Sequence, residues 1–242
     1  MKKIEKVVLC YFFDRLNYNP KDKIKELSDE VKSFFDDSFV FSNENIEHLF
    51  SMPRIQAISK DKKMLFQMSL INTIITFNVH EMDMDDVILW INNHLQFFYD
   101  VLKNVYDVKI LYSSLKIILL DEVDEPAKAI ASKFKFDGEF ENLTVNRGYT
   151  IDDTYYINIF LNANKEYSYN FNRSEYMKEN DLFDLTMITS LSKAELDKKY
   201  VMETIEVNDR LAFNNNSEYL SSKENLRGMI LELKKIIEKE DA

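Results

Sequence analysis

The stretch DMDDVILWINNHLQFFYDVLKNVYDVKILYSSLKIILL, running from Asp83 to Leu120, changes its hydrophobic period once, from that of a helix to that of a strand. Val87, Ile91, Leu95, Phe98 and Leu102 recur every three or four residues, which sets them on one face of a helix. Ile88, Trp90 and Val101 widen that face. Asn92, Asn93, Gln96, Asp100 and Lys103 leave only a narrow polar stripe, so a largely buried helix is expected to run to about Tyr106. Asp83 and Asp86 stand three apart at its start, in the pattern of a capping box with Asp as the second member. Beyond Asp107 the apolar residues alternate. Their parity shifts from Val108, Ile110 and Tyr112 to Leu115, Ile117 and Leu119, with Ser113-Ser114 at the shift, which predicts a long strand with a bulge.

Outward from this pair the same two periods recur. Residues 4–13 form a short, continuous apolar run typical of a buried strand, and Asn19-Pro20 opens a helix expected to reach about residue 36. A short helix is expected over 43–50. Met64, Phe66, Met68 and Leu70, then Ile75, Phe77 and Val79, alternate as two strands. Residues 127–135 read as a short helix. Strands are expected around 143–149, 155–161 and 167–171, with further runs near 182–191 and 199–213. Ser221 and Glu224 form a capping box before a last helix that buries Leu226, Ile230, Leu233 and Ile237. Runs of strands between separated helices predict an α+β fold, a largely antiparallel sheet with about three main helices packed on one face. With no Gly/Ser/Pro-rich linker, residues 1–242 are expected to form a single domain. Strands followed by a long helix occur in both 1–122 and 123–242, a pattern compatible with a degenerate duplication.

Composition bears on function mainly by exclusion. The 242 residues carry 31 Lys+Arg against 42 Asp+Glu, a formal net charge of −11. A long-range field of that sign repels nucleic acid and favours partners with basic surfaces, so direct nucleic-acid binding is not expected. There are three glycines, Gly138, Gly148 and Gly228. Phosphate-cradling loops need glycine for close backbone approach, and none of the dinucleotide, P-loop, kinase or nucleophile-elbow signatures is present. No cofactor is expected. The one cysteine, Cys10, lies within an apolar run and suits a reducing compartment. No run approaches the roughly 20 apolar residues that span a bilayer, and no secretory leader is visible, so a cytoplasmic location is expected.

The polar clusters offer few candidate sites. His80, Glu81 and Asp83 could ligate a divalent cation, although acids at a helix start are explained by the helix dipole and by capping. Asp107-Val108-Lys109, with Asp83 or Asp86 as an upstream acid, has the carboxylate and lysine content of a metal-dependent nuclease site. Asp121, Glu122, Asp124 and Glu125 crowd one turn, either as a solvated loop or as a docking surface for a basic partner. Tyr155, Tyr156, Tyr167 and Tyr169 could stack bases, but few Arg or Lys interleave with them, which favours packing. His48 and His94 are isolated.

The run Phe66-Gln67-Met68-Ser69-Leu70-Ile71-Asn72, the long helix after it, the strand Val108 to Leu119 and the run Tyr155 to Ile159 together resemble an uncharacterised, sporadically distributed family of bacterial proteins of about this length. The resemblance spans residues 53–165. Lys109-Ile110-Leu111-Tyr112 lacks the arginine and glycine that the family carries there. It implies an α+β fold and no particular chemistry.

The expected function is therefore that of a non-catalytic protein-interaction protein: an adaptor, inhibitor or regulatory subunit. Its Asn- and Lys-rich, Gly-poor composition suggests an AT-rich bacterium or its phage, and so a role in host–phage conflict. The alternatives are a metal-dependent nuclease or phosphodiesterase, and an acidic mimic of nucleic acid.

Overall fold

In the computed structural model, which describes residues 2–41, 49–79, 82–168 and 195–240, the period change at Tyr106 is the boundary between the longest helix and a central strand. The elements in order are β1 (Lys3–Phe13), a 3-10 turn (Pro20–Lys23), α1 (Ile24–Val31), β2 (Phe35–Phe41), β3 (Ile55–Ser59), β4 (Met64–Met68), β5 (Asn72–Asn78), α2 (Met84–Tyr106), β6 (Ile110–Glu122), α3 (Pro126–Phe134), β7 (Thr144–Ile151), β8 (Tyr155–Ser168), β9 (Glu195–Asn208), α4 (Arg210–Asn215) and α5 (Lys223–Glu240). The fold is α+β with a large antiparallel sheet. Nine strands are hydrogen-bonded in the order β2-β3-β4-β5-β1-β6-β9-β8-β7, and the five pairings from β2 across to β6 are antiparallel.

Contacts divide the chain into two compact units. The larger comprises Lys2–Leu120, Asn146–Phe160 and Glu203–Ala242; the smaller comprises Asp121–Val145 and Leu161–Met202. In the larger unit, alternate residues of β4 and β5 are buried and the others half-exposed, as the two-residue period requires: β4 buries Met64, Phe66 and Met68, and β5 buries Thr73, Ile75 and Phe77. The buried set meets α2. Phe66 packs on Phe98 at 6.2 Å between ring centroids, Trp90 stacks on Phe77 at 4.0 Å, and the buried Tyr11 hydroxyl donates to the Leu95 carbonyl. α1 and α5 both pack against α2. In the smaller unit, Val123 N–H bonds the Lys199 carbonyl and Ala163 N–H bonds the Leu143 carbonyl.

Five α-helices stand among the described residues, where the sequence leads one to expect about three main ones. α4 is the addition that the pattern misses: residues 199–213 read as one strand, whereas β9 ends at Asn208 and a short helix follows. The helix expected to reach residue 36 stops at Val31, and Phe35 opens β2 instead. Most of the helix expected over 43–50, and the strand expected near 182–191, lie outside the described residues. The bulge on β6 falls at Leu111, two residues before the serines, because Phe12 faces Tyr112 while Phe13 faces Ile110.

The last helix is capped one residue later than expected. Ser222 and Asn225 form the reciprocal box, with Asn225 N–H donating to Ser222 Oγ at 3.3 Å and Ser222 N–H to Asn225 Oδ1 at 3.2 Å. Ser221 is thereby released to turn inward.

Gly228, in the interior of α5, answers a close approach. A Cβ there would lie 2.0 Å from the Tyr155 hydroxyl, which donates to the Asn225 carbonyl at 3.1 Å. Alanine ordinarily gains about 1 kcal/mol over glycine in a helix. Here the gain is outweighed by displacement of the tyrosine, so Gly228→Ala is expected to destabilise by about 1–2 kcal/mol. Tyr155→Phe removes the colliding oxygen, and in that background denaturant titration should show less than half of this loss.

Candidate functional site

α2 separates the residues of the candidate nuclease site. Asp83 is its N-cap, accepting from Asp86 N–H at 2.8 Å, and Asp107 is its C-cap in the left-handed conformation, with φ of 51°. Twenty-three helical residues lie between them, about 35 Å at 1.5 Å per residue. The structure thus places Asp83 and Asp86 at one end of the helix and Asp107 and Lys109 at the other, and does not bring them together. His80 and Glu81 lie outside the described residues. Among the described residues no group of three or more His, Cys, Asp and Glu side chains is placed to hold a metal ion.

The acidic turn lies in the smaller unit, where Asp121 and Glu122 end β6 and Asp124 and Glu125 lead into α3. Glu122, Asp124 and Glu125 are exposed, and Glu125, the residue before α3, bonds Lys128 at 2.8 Å. Elsewhere Glu26, Asp100 and Glu232 each lie within 4 Å of a lysine.

His94 is packed: its ring stacks on Trp90 at 4.1 Å, Nδ1 lies 2.8 Å from the Trp90 carbonyl, and burial pulls its pKa down. Tyr155 is bonded to α5, while Tyr156 faces the other side of the sheet. The side chains of Tyr167 and Tyr169, like His48, are outside the described residues.

Cys10 is half-buried on β1, opposite Ser114, and burial pushes its thiol up to about 11. The thiolate is the reactive form. At pH 8 alkylation by iodoacetamide should run about a hundredfold slower than with free cysteine, and a rate matching the free amino acid would contradict this environment.

Two features of the larger unit were not signalled by any motif. The first is a buried polar knot. Asp209, with no exposed surface, follows β9 and precedes α4. One of its oxygens accepts the Ser113 N–H at 2.6 Å, and the other accepts the Tyr219 hydroxyl at 2.7 Å and the Ser221 hydroxyl at 2.6 Å. Ser113 Oγ lies 3.1 Å from Ser221 Oγ, and the Tyr99 hydroxyl bonds the Ser221 carbonyl at 2.8 Å. The knot ties β6, α2 and the approach to α5 onto one carboxylate. Burial raises the Asp209 pKa against these hydrogen bonds, which work to lower it. Asp209, Ser113 and Ser221 are buried, as the members of a structural tie would be, while Tyr219 is half-exposed.

The second is a cleft of about 360 Å³ on the opposite side of the sheet, lined by residues of β1, β6, β8, β9 and α4. Phe12 and Tyr112 stack at 4.3 Å on one wall, and the Arg210 guanidinium carbon lies 5.6 Å from the Tyr112 ring centre. Glu206, on β9, accepts from Ser114 Oγ at 2.7 Å, with Asn158 Nδ2 at 3.5 Å from its other oxygen. Alternation along β6 carries the signal in retrospect: Tyr112 and Ser114 share a face, away from Ser113.

The same outward side continues across β5, β4, β3 and β2. Ile58 pairs with Leu65, Gln67 with Ile74 and Gln56 with Val40, with Ile58 56% and Val40 65% exposed. Ile58 and Val40 are more than half exposed and Leu65 and Ile74 half-buried, with Gln56, Gln67 and Thr76 on the same side.

No protein-family model matches the chain, and none of the curated proteins matches it. No helix among the described residues is long and apolar enough to cross a membrane.

Proposed function

We propose that this is a non-catalytic protein-interaction protein, an adaptor, inhibitor or regulatory subunit, that binds a partner through the outward side of strands β2–β5. The exposed Ile58 and Val40, with the half-buried Leu65 paired to Ile58 across the strands, carry this reading, because a sheet face that served only solvation would place polar residues there. The charge of −11 favours a partner with basic residues around an apolar centre, and Asp121, Glu122, Asp124 and Glu125 are, separately, an acidic element suited to a basic partner. A setting in host–phage conflict, in a cytoplasm, and membership of the sporadically distributed bacterial family are parts of the same proposal.

A degenerate duplication is supported by the strand order. β3-β4-β5-β1 at one end of the order is mirrored by β7-β8-β9-β6 at the other, a match that puts the boundary between the repeats before β6 and not at residue 122; each run of three strands is followed by a long helix, α2 or α5, with only the short α4 interposed before α5.

The test is affinity capture from extracts of the source organism, with wild type beside a Val40→Asp/Ile58→Asp variant. Wild type should retain a stoichiometric companion that the variant loses, while the variant's melting temperature stays within about 2 °C of wild type, as exposed substitutions do. A companion retained equally by both would overturn this surface as the binding site.

A further inference from the structure

The cleft over β9 holds two opposite charges that do not meet. Arg210 lies against the Tyr112 ring at the α4 end, and Glu206 is held by Ser114 and Asn158. Among the described residues no ion pair joins them. Their anchors, Tyr112 and Ser114, are successive residues on one side of a strand and stand about 7 Å apart. A carboxylate offers about four lone-pair positions, of which Glu206 uses two here, and a guanidinium offers five N–H donors aimed at acceptors. One end of the cleft therefore calls for a cationic donor and the other for an anionic acceptor. The rest of the lining includes aromatic and amide side chains: Phe12, Tyr156, Asn208 and Asn214.

We propose that this cleft is a binding site for a free α-amino acid with an apolar or aromatic side chain. Its ammonium group bonds Glu206, its carboxylate bonds Arg210, and its side chain lies along Phe12 and Tyr156. Two charge-assisted hydrogen bonds of about 2.8 Å, added to about 2.5 Å between the ammonium nitrogen and the carboxyl carbon, span about 8 Å. A lone amine or a lone acid would leave one protein charge without its partner. A dipeptide separates its termini too far for both. The aromatic walls favour Phe, Tyr or Leu over Ser or Gly, since apolar contact is worth about 25 cal/mol per Å² of surface removed from water. This site goes beyond the interaction reading and does not depend on it, because the exposed aliphatic pair and the cleft share no residue.

Isothermal titration of the full chain with L-phenylalanine, L-tyrosine, L-leucine and glycine tests the site, with phenethylamine, 3-phenylpropionate and phenylalanyl-glycine as controls. At least one of the three large amino acids should bind at millimolar or lower concentration. The amine, the acid, the dipeptide and glycine should each bind at least tenfold more weakly. Glu206→Gln and Arg210→Gln should each weaken binding at least tenfold. Arg210 is exposed, so its variant keeps the wild-type melting temperature and separates lost binding from lost folding. No heat with any amino acid overturns the proposal, as does an amine, acid or dipeptide that binds as tightly as the amino acid. Binding that Arg210→Gln leaves unchanged does so too.

Discussion

Replacing Asp209 by alanine is expected to lower the unfolding free energy by about 3–5 kcal/mol, the scale of breaking a buried charged network. The substitution removes the acceptor for three donors at once: the Ser113 N–H, the Tyr219 hydroxyl and the Ser221 hydroxyl. Ser113 has no exposed surface and Ser221 only 2%, so water does not replace the lost partner, and each orphaned donor costs about 1–3 kcal/mol. For a chain of this length the melting temperature should fall by about 10 °C. A change under 2 °C would show that the knot does not hold the sheet, α2 and the start of α5 together.

The same residue sets a pH dependence whose sign follows from its burial. Desolvation raises the Asp209 pKa in the folded protein above its ordinary value of 3.8, at which the unfolded chain titrates. The folded state therefore holds this proton more tightly. The resulting stabilisation is complete below the ordinary value and is lost as pH rises through the folded value. The knot can accept the proton, because Ser221 Oγ lies 3.1 Å from Ser113 Oγ and its hydroxyl can turn there when the carboxyl becomes a donor. Asp209→Asn keeps the shape and does not titrate. Measured against it, wild type should lose stability as pH climbs from below 4, and a difference that grows with pH would contradict the buried acid.

Phe98→Ala is expected to cost about 3–5 kcal/mol. Phe98 is fully buried midway along α2, with Phe66 of β4 at 6.2 Å, Phe97 at 5.1 Å and Phe34 at 6.2 Å. Truncation leaves a cavity bounded by the sheet on one side and its own helix on the other. Neither can collapse without breaking backbone hydrogen bonds, so relaxation recovers little. Chemical denaturation should show a lower midpoint with an unchanged slope. A loss below 1 kcal/mol would mean that α2 is not seated on the sheet as described.

Periodicity made the long elements legible. Val87, Ile91, Leu95, Phe98 and Leu102 of α2 all lie at zero exposure, and Leu226, Ile230, Leu233 and Ile237 of α5 are all buried. Elements too short to complete a period were not. α4 has six residues and buries only Leu211, so nothing in its pattern separates it from the strand before it. β2 was hidden because Phe34 follows Val31 at helical spacing, although Phe35, Phe39 and Phe41 alternate as strand residues do. The chain turns into the strand where Phe34 N–H bonds the Val31 carbonyl, a geometry invisible in composition.

Sites were harder to read because convergence is not a linear property. Asp83 and Asp107 look like partners in sequence, and a helix 23 residues long holds them apart. Asp209, Ser113 and Ser221 look unrelated and meet on one carboxylate. Ser221 was legible as a cap, but Ser222 takes that role by one residue, which leaves Ser221 for the knot. Glu206 and Arg210 are four apart on what read as one strand, and the turn at Asp209 carries them to different ends of a cleft.

The interaction surface is tested most directly by carbene footprinting of the protein alone and with its captured companion, read by mass spectrometry of the peptides. Labelling of peptides holding Ile58, Leu65 and Ile74 should fall at least fivefold in the complex, while labelling at Leu89 of α2 and Leu231 of α5, both exposed, stays constant. Protection centred on α2 and α5, with Ile58 and Leu65 still labelled, would contradict it.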